Sequence, residues 1–103
     1  MKKVTFFLIV TVLSLSAKDS IAMQVFHTYC WGCHHQTAQA FGPSFKEIAN
    51  KRTKDEIIAQ ITAPNQMYKK LGYKRNSMPS FNDLDAKQIN AIVSYILSFK
   101  DKK

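Results

Sequence analysis

Apolar residues recur along this chain at helical spacing, and none of its segments shows the strict alternation of a β-strand. Ile21, Val25, Phe26 and Tyr29 lie near one face of a helix that runs into Cys30. Because the period of apolar positions indicates the type of regular structure, this pattern favours helices throughout. The hydrophobic pattern therefore predicts an all-α protein.

Three further helices are predicted from polar residues that stand three positions before a Glu or Gln, the spacing of a capping box. The pairs are Ser44 and Glu47, Thr53 and Glu56, and Asp85 and Gln88. After the last pair, apolar residues mark one face of a long amphipathic helix: Ile89, Ile92, Val93, Ile96 and Leu97. Pro64 is predicted to stop the third helix and to begin an irregular stretch over residues 64–82. The expected architecture has about four helices.

Residues 1–17 have the three parts of a secretion signal. Lys2 and Lys3 give a positive start, and residues 4–15 form an uncharged, mostly apolar run, with small residues following. That run is shorter than the ~20 residues a membrane-spanning helix needs, although retention as an N-terminal anchor is the alternative. We therefore expect a cleaved signal peptide and a single domain over residues 18–103, exported to a bacterial periplasm.

The expected mature chain is basic. Without the two signal lysines it has thirteen Lys and Arg against seven Asp and Glu, a formal charge of +6. Such a surplus suits an acidic protein partner or transient contact with an anionic membrane surface. Nucleic acid is not an expected partner, because the chain is exported and has no base-reading motif. A domain this small also has a marginal core, which a covalently held cofactor would reinforce.

Residues 30–34 spell Cys-x-x-Cys-His, the attachment pattern of c-type haem. Two thiols three positions apart can reach the two vinyl groups on one edge of a porphyrin and form thioether bonds. The next imidazole, that of His34, then falls under the iron as the proximal ligand. The motif predicts one covalently attached haem c, held by Cys30 and Cys33.

Three other interpretations of this motif compete with haem attachment. A thioredoxin-like dithiol needs a strand–helix–strand surround, which the pattern does not predict. A structural zinc site usually takes two separated ligand pairs, and no second cysteine pair exists. Its candidate ligands would be Cys30, Cys33, His34, His35 and His27. A disulfide between the two cysteines would close too short a loop to stabilise the fold much.

The second axial position of the iron is open to methionine, histidine, lysine or no ligand. Met23 precedes the cysteines on the same helix and cannot reach the opposite haem face. Met67 and Met78 both lie in the irregular stretch, but only Met78 precedes a proline, Pro79, which restricts it to rigid, extended geometry. The remaining candidates lie too close to the motif or would act only at high pH: His27, His35, Lys69, Lys70 and Lys74.

Several motifs together resemble a small bacterial class I (monohaem) cytochrome c, over nearly all of the chain after residue 17. They are the Cys-x-x-Cys-His segment, Gly42-Pro43, Met78-Pro79 and the closing amphipathic helix. The resemblance implies a class I cytochrome c fold in which the first and last helices cross. It also implies the following roles: thioether anchors at Cys30 and Cys33, axial iron ligands at His34 and Met78, and a hydrogen bond from His34 to the carbonyl of Pro43.

A haem with imidazole on one face and thioether on the other has no free site for a substrate. We therefore expect a one-electron carrier of a respiratory chain and not an enzyme; a peroxidase would need an open iron position. The alternative is the electron-accepting haem subunit of a periplasmic dehydrogenase. In either case the partners are expected to be redox proteins with acidic docking patches, because basic residues cluster before Met78: Lys69, Lys70, Lys74 and Arg75.

Overall fold

A computed structural model describes residues 19–102, and all regular structure in this range is helical. The first helix, α1, is α-helical over residues 19–25 and continues as a π-helical turn over Phe26–Cys30. The others are α2 (Phe45–Lys51), α3 (Lys54–Thr62), α4 (Pro64–Met67) and α5 (Ala86–Leu97). The described residues contain no strand, so the prediction of an all-α fold is confirmed. The predicted signal peptide lies outside the described residues.

Side-chain caps fix where the main helices begin. The Thr53 hydroxyl accepts from the backbone N–H of Glu56 while the Glu56 side chain accepts from the backbone of Thr53, a complete capping box at the start of α3. Asp85 and Gln88 form the same reciprocal pair at the start of α5. At α2 only half of the box forms, since Ser44 accepts from the Glu47 backbone but the Glu47 carboxylate pairs with a lysine of its own helix.

The stretch after α3 is more regular than the sequence predicted. α3 does end before Pro64, but this proline occupies the first turn of α4 instead of opening an irregular segment. Proline suits that position because a first-turn N–H has no partner within the helix. Helical turns continue to Leu71, and Gly72 then turns the chain with a φ of +91°. The chain leaves this turn extended and carries Met78 back along α3.

The core lies where α1, α2, α3 and α5 meet. Phe26 is fully buried, and its ring centroid lies 5.4 Å from that of Phe45 in α2 and 5.8 Å from that of Tyr95 in α5. The first and last helices are thus joined through one aromatic side chain. The buried cluster includes four of the five residues that periodicity assigned to the inner face of α5: Ile89, Ile92, Val93 and Ile96.

Candidate functional site

The two cysteines leave the end of α1 in a tight turn. The last turn of α1 is wide, with the N–H of Trp31 donating to the carbonyl of Phe26 at 2.8 Å. The N–H groups of Cys33 and His34 then both donate to the carbonyl of Cys30, at 3.1 and 2.9 Å. Single π-helical turns are often found at functional sites. Here the turn places both thiols and the imidazole on the wall of one cavity.

The imidazole of His34 is held on two sides. Its Nδ1 lies 2.7 Å from the carbonyl oxygen of Pro43, and its ring stacks on Phe45 with a centroid distance of 5.7 Å. An imidazole that donates from Nδ1 keeps Nε2 unprotonated and available to a metal ion. The carbonyl of Pro43 thus fixes the direction of the ring and favours the tautomer that carries its proton on Nδ1.

The cavity beside these residues has a volume of about 440 Å³. That is within the range of cofactor pockets, about 300–1,000 Å³. Its wall is drawn from the end of α1, the loop before α2, one face each of α2 and α3, the chain between α4 and α5, and Ile96 of α5. Much of the wall is apolar, with contributions from Phe45, Ile48, Ile57, Ile61 and Leu71. A large, flat, apolar group is the kind of ligand that such a wall would hold.

Met78 lines the same cavity and lies in the segment between α4 and α5. Two hydrogen bonds from the Asn76 side chain hold the backbone of Met78. The Asn76 Oδ1 accepts from the Met78 N–H at 3.2 Å, and its Nδ2 donates to the Met78 carbonyl at 3.0 Å. The same Nδ2 lies 3.0 Å from Oδ1 of Asn65 on α4. Downstream, the N–H of Phe81 donates to the carbonyl of Ile61 at 2.9 Å and ties the segment to α3. The contact between Asn76 and Asn65 could not be predicted from the sequence, because it depends on the position of α4.

The other candidate iron ligands do not line this cavity. Met23 and Met67 are absent from its wall, so Met78 is its one methionine among residues 19–102. His27 is exposed and packs edge-on against Phe26. His35 is exposed, and its Nδ1 accepts two backbone hydrogen bonds from the following turn. Both histidines therefore serve local structure.

Arg52 is a residue of the cavity wall that no sequence motif singled out. It is half-buried at the end of α2, and its Nη2 donates to the carbonyl of Leu71 at 2.6 Å. Its guanidinium carbon lies 5.2 Å from the centroid of the Tyr73 ring. Its Nε is buried and has no hydrogen-bond partner in the described chain, and other parts of the residue line the cavity. Arg52 therefore ties the turn after α4 to the end of α2 beside the cavity.

The cysteines do not favour the competing interpretations of the motif. Burial raises the pKa of the Cys30 thiol to about 11, with a further contribution from Cys33, so without a metal ion the thiol stays protonated. In the described part of the chain, no three His, Cys, Asp or Glu side chains are grouped to hold a metal ion. The two thiols are not joined by a disulfide. Among residues 19–102, no strand flanks the motif, as a thioredoxin-like site would need.

These features define a small helical protein with a thiol pair and an imidazole on the wall of a largely apolar cavity. The model of the Cytochrome c family matches residues 22–100, and the chain belongs to this family. Proteins of this family bind covalently attached haem c, and Cys30 and Cys33 are consistent with its attachment motif. The comparison with curated proteins found no match, and neither did the comparison with solved structures.

The residues present fit a haem. The apolar wall suits the porphyrin plane, and the two thiols at the end of α1 suit its vinyl edge. Arg52 and Arg75 place positive charge on the cavity wall, which suits the propionates, the anionic part of the cofactor. The cofactor is thus one covalently attached haem c in an all-α fold consistent with class I cytochromes c, and the protein is a haem-based electron carrier.

Proposed function

We propose that the protein is a periplasmic one-electron carrier whose haem iron is bound by His34 and Met78. One observation carries the proposal: both side chains line the cavity that also receives Cys30 and Cys33. Each is held by its own surroundings, His34 by Pro43 and Met78 by its neighbouring loop. The haem would supply the one-electron couple, and the protein would fix its two axial ligands.

This ligand pair favours electron transfer over catalysis. With imidazole and thioether both bound, the iron has no open position for a substrate, so electrons would pass through the haem edge. A thioether is a soft, neutral ligand that favours the reduced iron and raises the reduction potential. The hydrogen bond from Nδ1 of His34 to Pro43 keeps the imidazole oriented during the change of charge. These properties suit a carrier in a respiratory chain.

The periplasm is proposed because residues 1–17 have the pattern of a secretion signal and the thiols must meet haem outside the cytosol. In the described part of the chain, no helix has the length and apolar character needed to cross a membrane.

The proposed partner is a redox protein with an acidic patch. The surface formed by Lys69, Lys70, Lys74 and Arg75 is exposed, and Arg75 also borders the cavity. A second group of basic residues lies on and just after α2. There Lys46 pairs with Asp101 and Lys51 pairs with Glu47, so part of its positive charge is neutralised. The surface around residues 69–75 therefore offers more unpaired positive charge near the haem cavity. Opposite charge on a partner would mainly raise the encounter rate.

The test is to produce the exported protein together with a working haem-attachment system. Covalent attachment predicts that the colour stays with the protein through acid-acetone extraction. Ligation by a thioether predicts a sulfur-to-iron charge-transfer band in the oxidised spectrum. A colourless protein would contradict haem attachment, and a coloured protein without the band would contradict ligation by Met78.

A further inference from the structure

Gln60 is a polar residue on the cavity wall that no step of the proposed function uses. It lies on α3 next to Ile61, and its Nε2 lies 3.9 Å from Sδ of Met78. Its Oε1 is buried and has no hydrogen-bond partner in the part of the chain that the structure describes. A buried carbonyl without a partner costs free energy, and an apolar side chain here would avoid that cost. We therefore look for a function of the Gln60 amide that an apolar side chain could not perform.

The chemistry of the contact fixes the orientation of the amide. A thioether sulfur can accept a weak hydrogen bond but cannot donate one. If the amide were turned over, Oε1 would face the sulfur and two acceptors would repel each other. The NH₂ group of Gln60 must therefore face Met78 for any attraction to exist, which is the orientation in the structure.

We infer that Gln60 is a positioning residue for the sulfur of Met78, and this inference rests on the proposed ligation of iron by Met78. A thioether sulfur has two lone pairs, and binding iron through one or the other gives two different configurations. A hydrogen bond from Gln60 to one lone pair leaves the other for the iron. The amide thus selects one configuration of the ligand.

The same contact affects the reduction potential. A hydrogen-bond donor at the sulfur draws electron density away from it. The sulfur then donates less electron density to the oxidised iron. Hydrogen bonds to metal ligands are one of the means by which a protein sets a haem potential. Gln60 therefore favours the reduced form and raises the potential.

Gln60 and Asn76 hold Met78 through different atoms. Asn76 bonds to the backbone N–H and carbonyl of Met78, whereas Gln60 approaches the sulfur alone. Loss of Asn76 would loosen the whole loop. Loss of Gln60 would leave the loop in place and free only the end of the ligand.

The experiment compares Gln60→Leu with Gln66→Leu in the haem-loaded protein. Gln66 is exposed on α4 and does not line the cavity, so its substitution is the matched control. In Gln60→Leu the reduction potential should fall, and the NMR signals of the Met78 methyl group should broaden or divide between two configurations. The charge-transfer band should persist, because Met78 still binds. Gln66→Leu should match the native protein in all three measurements.

An unchanged potential and a single Met78 configuration in Gln60→Leu would overturn the inference while leaving ligation by Met78 intact. A native protein without the charge-transfer band would overturn both. If Gln60→Leu does not fold and take up haem, the inference can still be tested by NMR on the native reduced protein. The side-chain NH₂ protons of Gln60 should then show nuclear Overhauser contacts with the Met78 methyl group and slow exchange with solvent. Their absence would contradict the proposed hydrogen bond.

Discussion

Gly42 packs so closely against His34 that a side chain at position 42 would collide with the imidazole. A Cβ built there would lie 2.7 Å from Cε1 of His34, 3.0 Å from Nδ1 and 3.3 Å from the carbonyl oxygen of Cys33. The N–H of Gly42 also donates to that carbonyl at 2.7 Å. The glycine thus lets the loop before α2 close over the histidine, which brings the carbonyl of Pro43 to Nδ1.

Gly42→Ala should displace the His34 ring, because neither the rigid imidazole nor the bonded backbone can move away cheaply. Overpacking of this kind typically costs about 1–3 kcal/mol. The free energy of unfolding of the haem-loaded protein, measured in urea, should fall by that amount. Gly32→Ala is the matched control, since a Cβ at Gly32 meets no atom within 4 Å. Equal stability of the two variants would show that the loop adapts and that Gly42 is not required.

Met78→Ala should remove the thioether-to-iron charge-transfer band and lower the reduction potential, because the iron loses its soft ligand. The vacated position should then bind added imidazole. Met67→Ala is the control, because Met67 lies on α4 and outside the cavity wall. If the charge-transfer band is lost in Met67→Ala and kept in Met78→Ala, the assignment of Met78 as the iron ligand is wrong.

Much of the fold follows from local signals in the sequence. The boxes at Thr53 and Asp85 predicted the starts of α3 and α5, and apolar spacing predicted the buried face of α5. These signals work because caps and helix faces depend on residues three or four positions apart. Pro64 does follow the end of α3 as predicted, but the prediction that it opens an irregular stretch was wrong, because proline is also compatible with the first turn of a helix. The neighbouring chain decides between them.

The candidate site divides in the same way. Cys30, Cys33 and His34 lie within five consecutive residues, so their spacing alone indicated haem attachment. Arg52 and Gln60 were missed because nothing local distinguishes them from ordinary helix residues. Their contacts depend on segments 18 or 19 residues away, since Arg52 bonds to the carbonyl of Leu71 and Gln60 faces Met78. Only the folded chain brings these groups together.

Arg52→Leu should destabilise the turn after α4, because the carbonyl of Leu71 loses its charged donor. Hydrogen bonds to charged groups contribute about 1.5–3 kcal/mol. Urea unfolding of the haem-loaded protein should show a loss of this size, with faster amide exchange over residues 68–73. Arg52→Lys should not restore the stability, since an ammonium group lacks the planar fork of donors. The control is Lys51→Leu, an exposed neighbour expected to change stability by no more than about 0.5 kcal/mol.

The docking surface is tested by reversing the charge of Lys70 and Lys74 together to Glu. Both side chains are exposed, and the change should slow bimolecular electron transfer with a physiological partner. In the native protein the rate should fall as salt rises above about 0.1 M, where screening shortens to about 10 Å. The double variant should show a flatter salt dependence, while its haem spectrum stays native.

The matched control reverses Lys46 and Lys51, which gives the same change in net charge at residues already paired with Asp101 and Glu47. If docking depends on local charge, the control should slow transfer much less than the variant at Lys70 and Lys74. Equal slowing in both variants would indicate that only the net charge of the protein matters. An unchanged rate at low salt in the variant at Lys70 and Lys74 would show that these lysines only keep the loop solvated. The docking surface would then have to lie elsewhere, and slowing in the variant at Lys46 and Lys51 would place it in the region of Lys46, Lys51, Arg52 and Lys54.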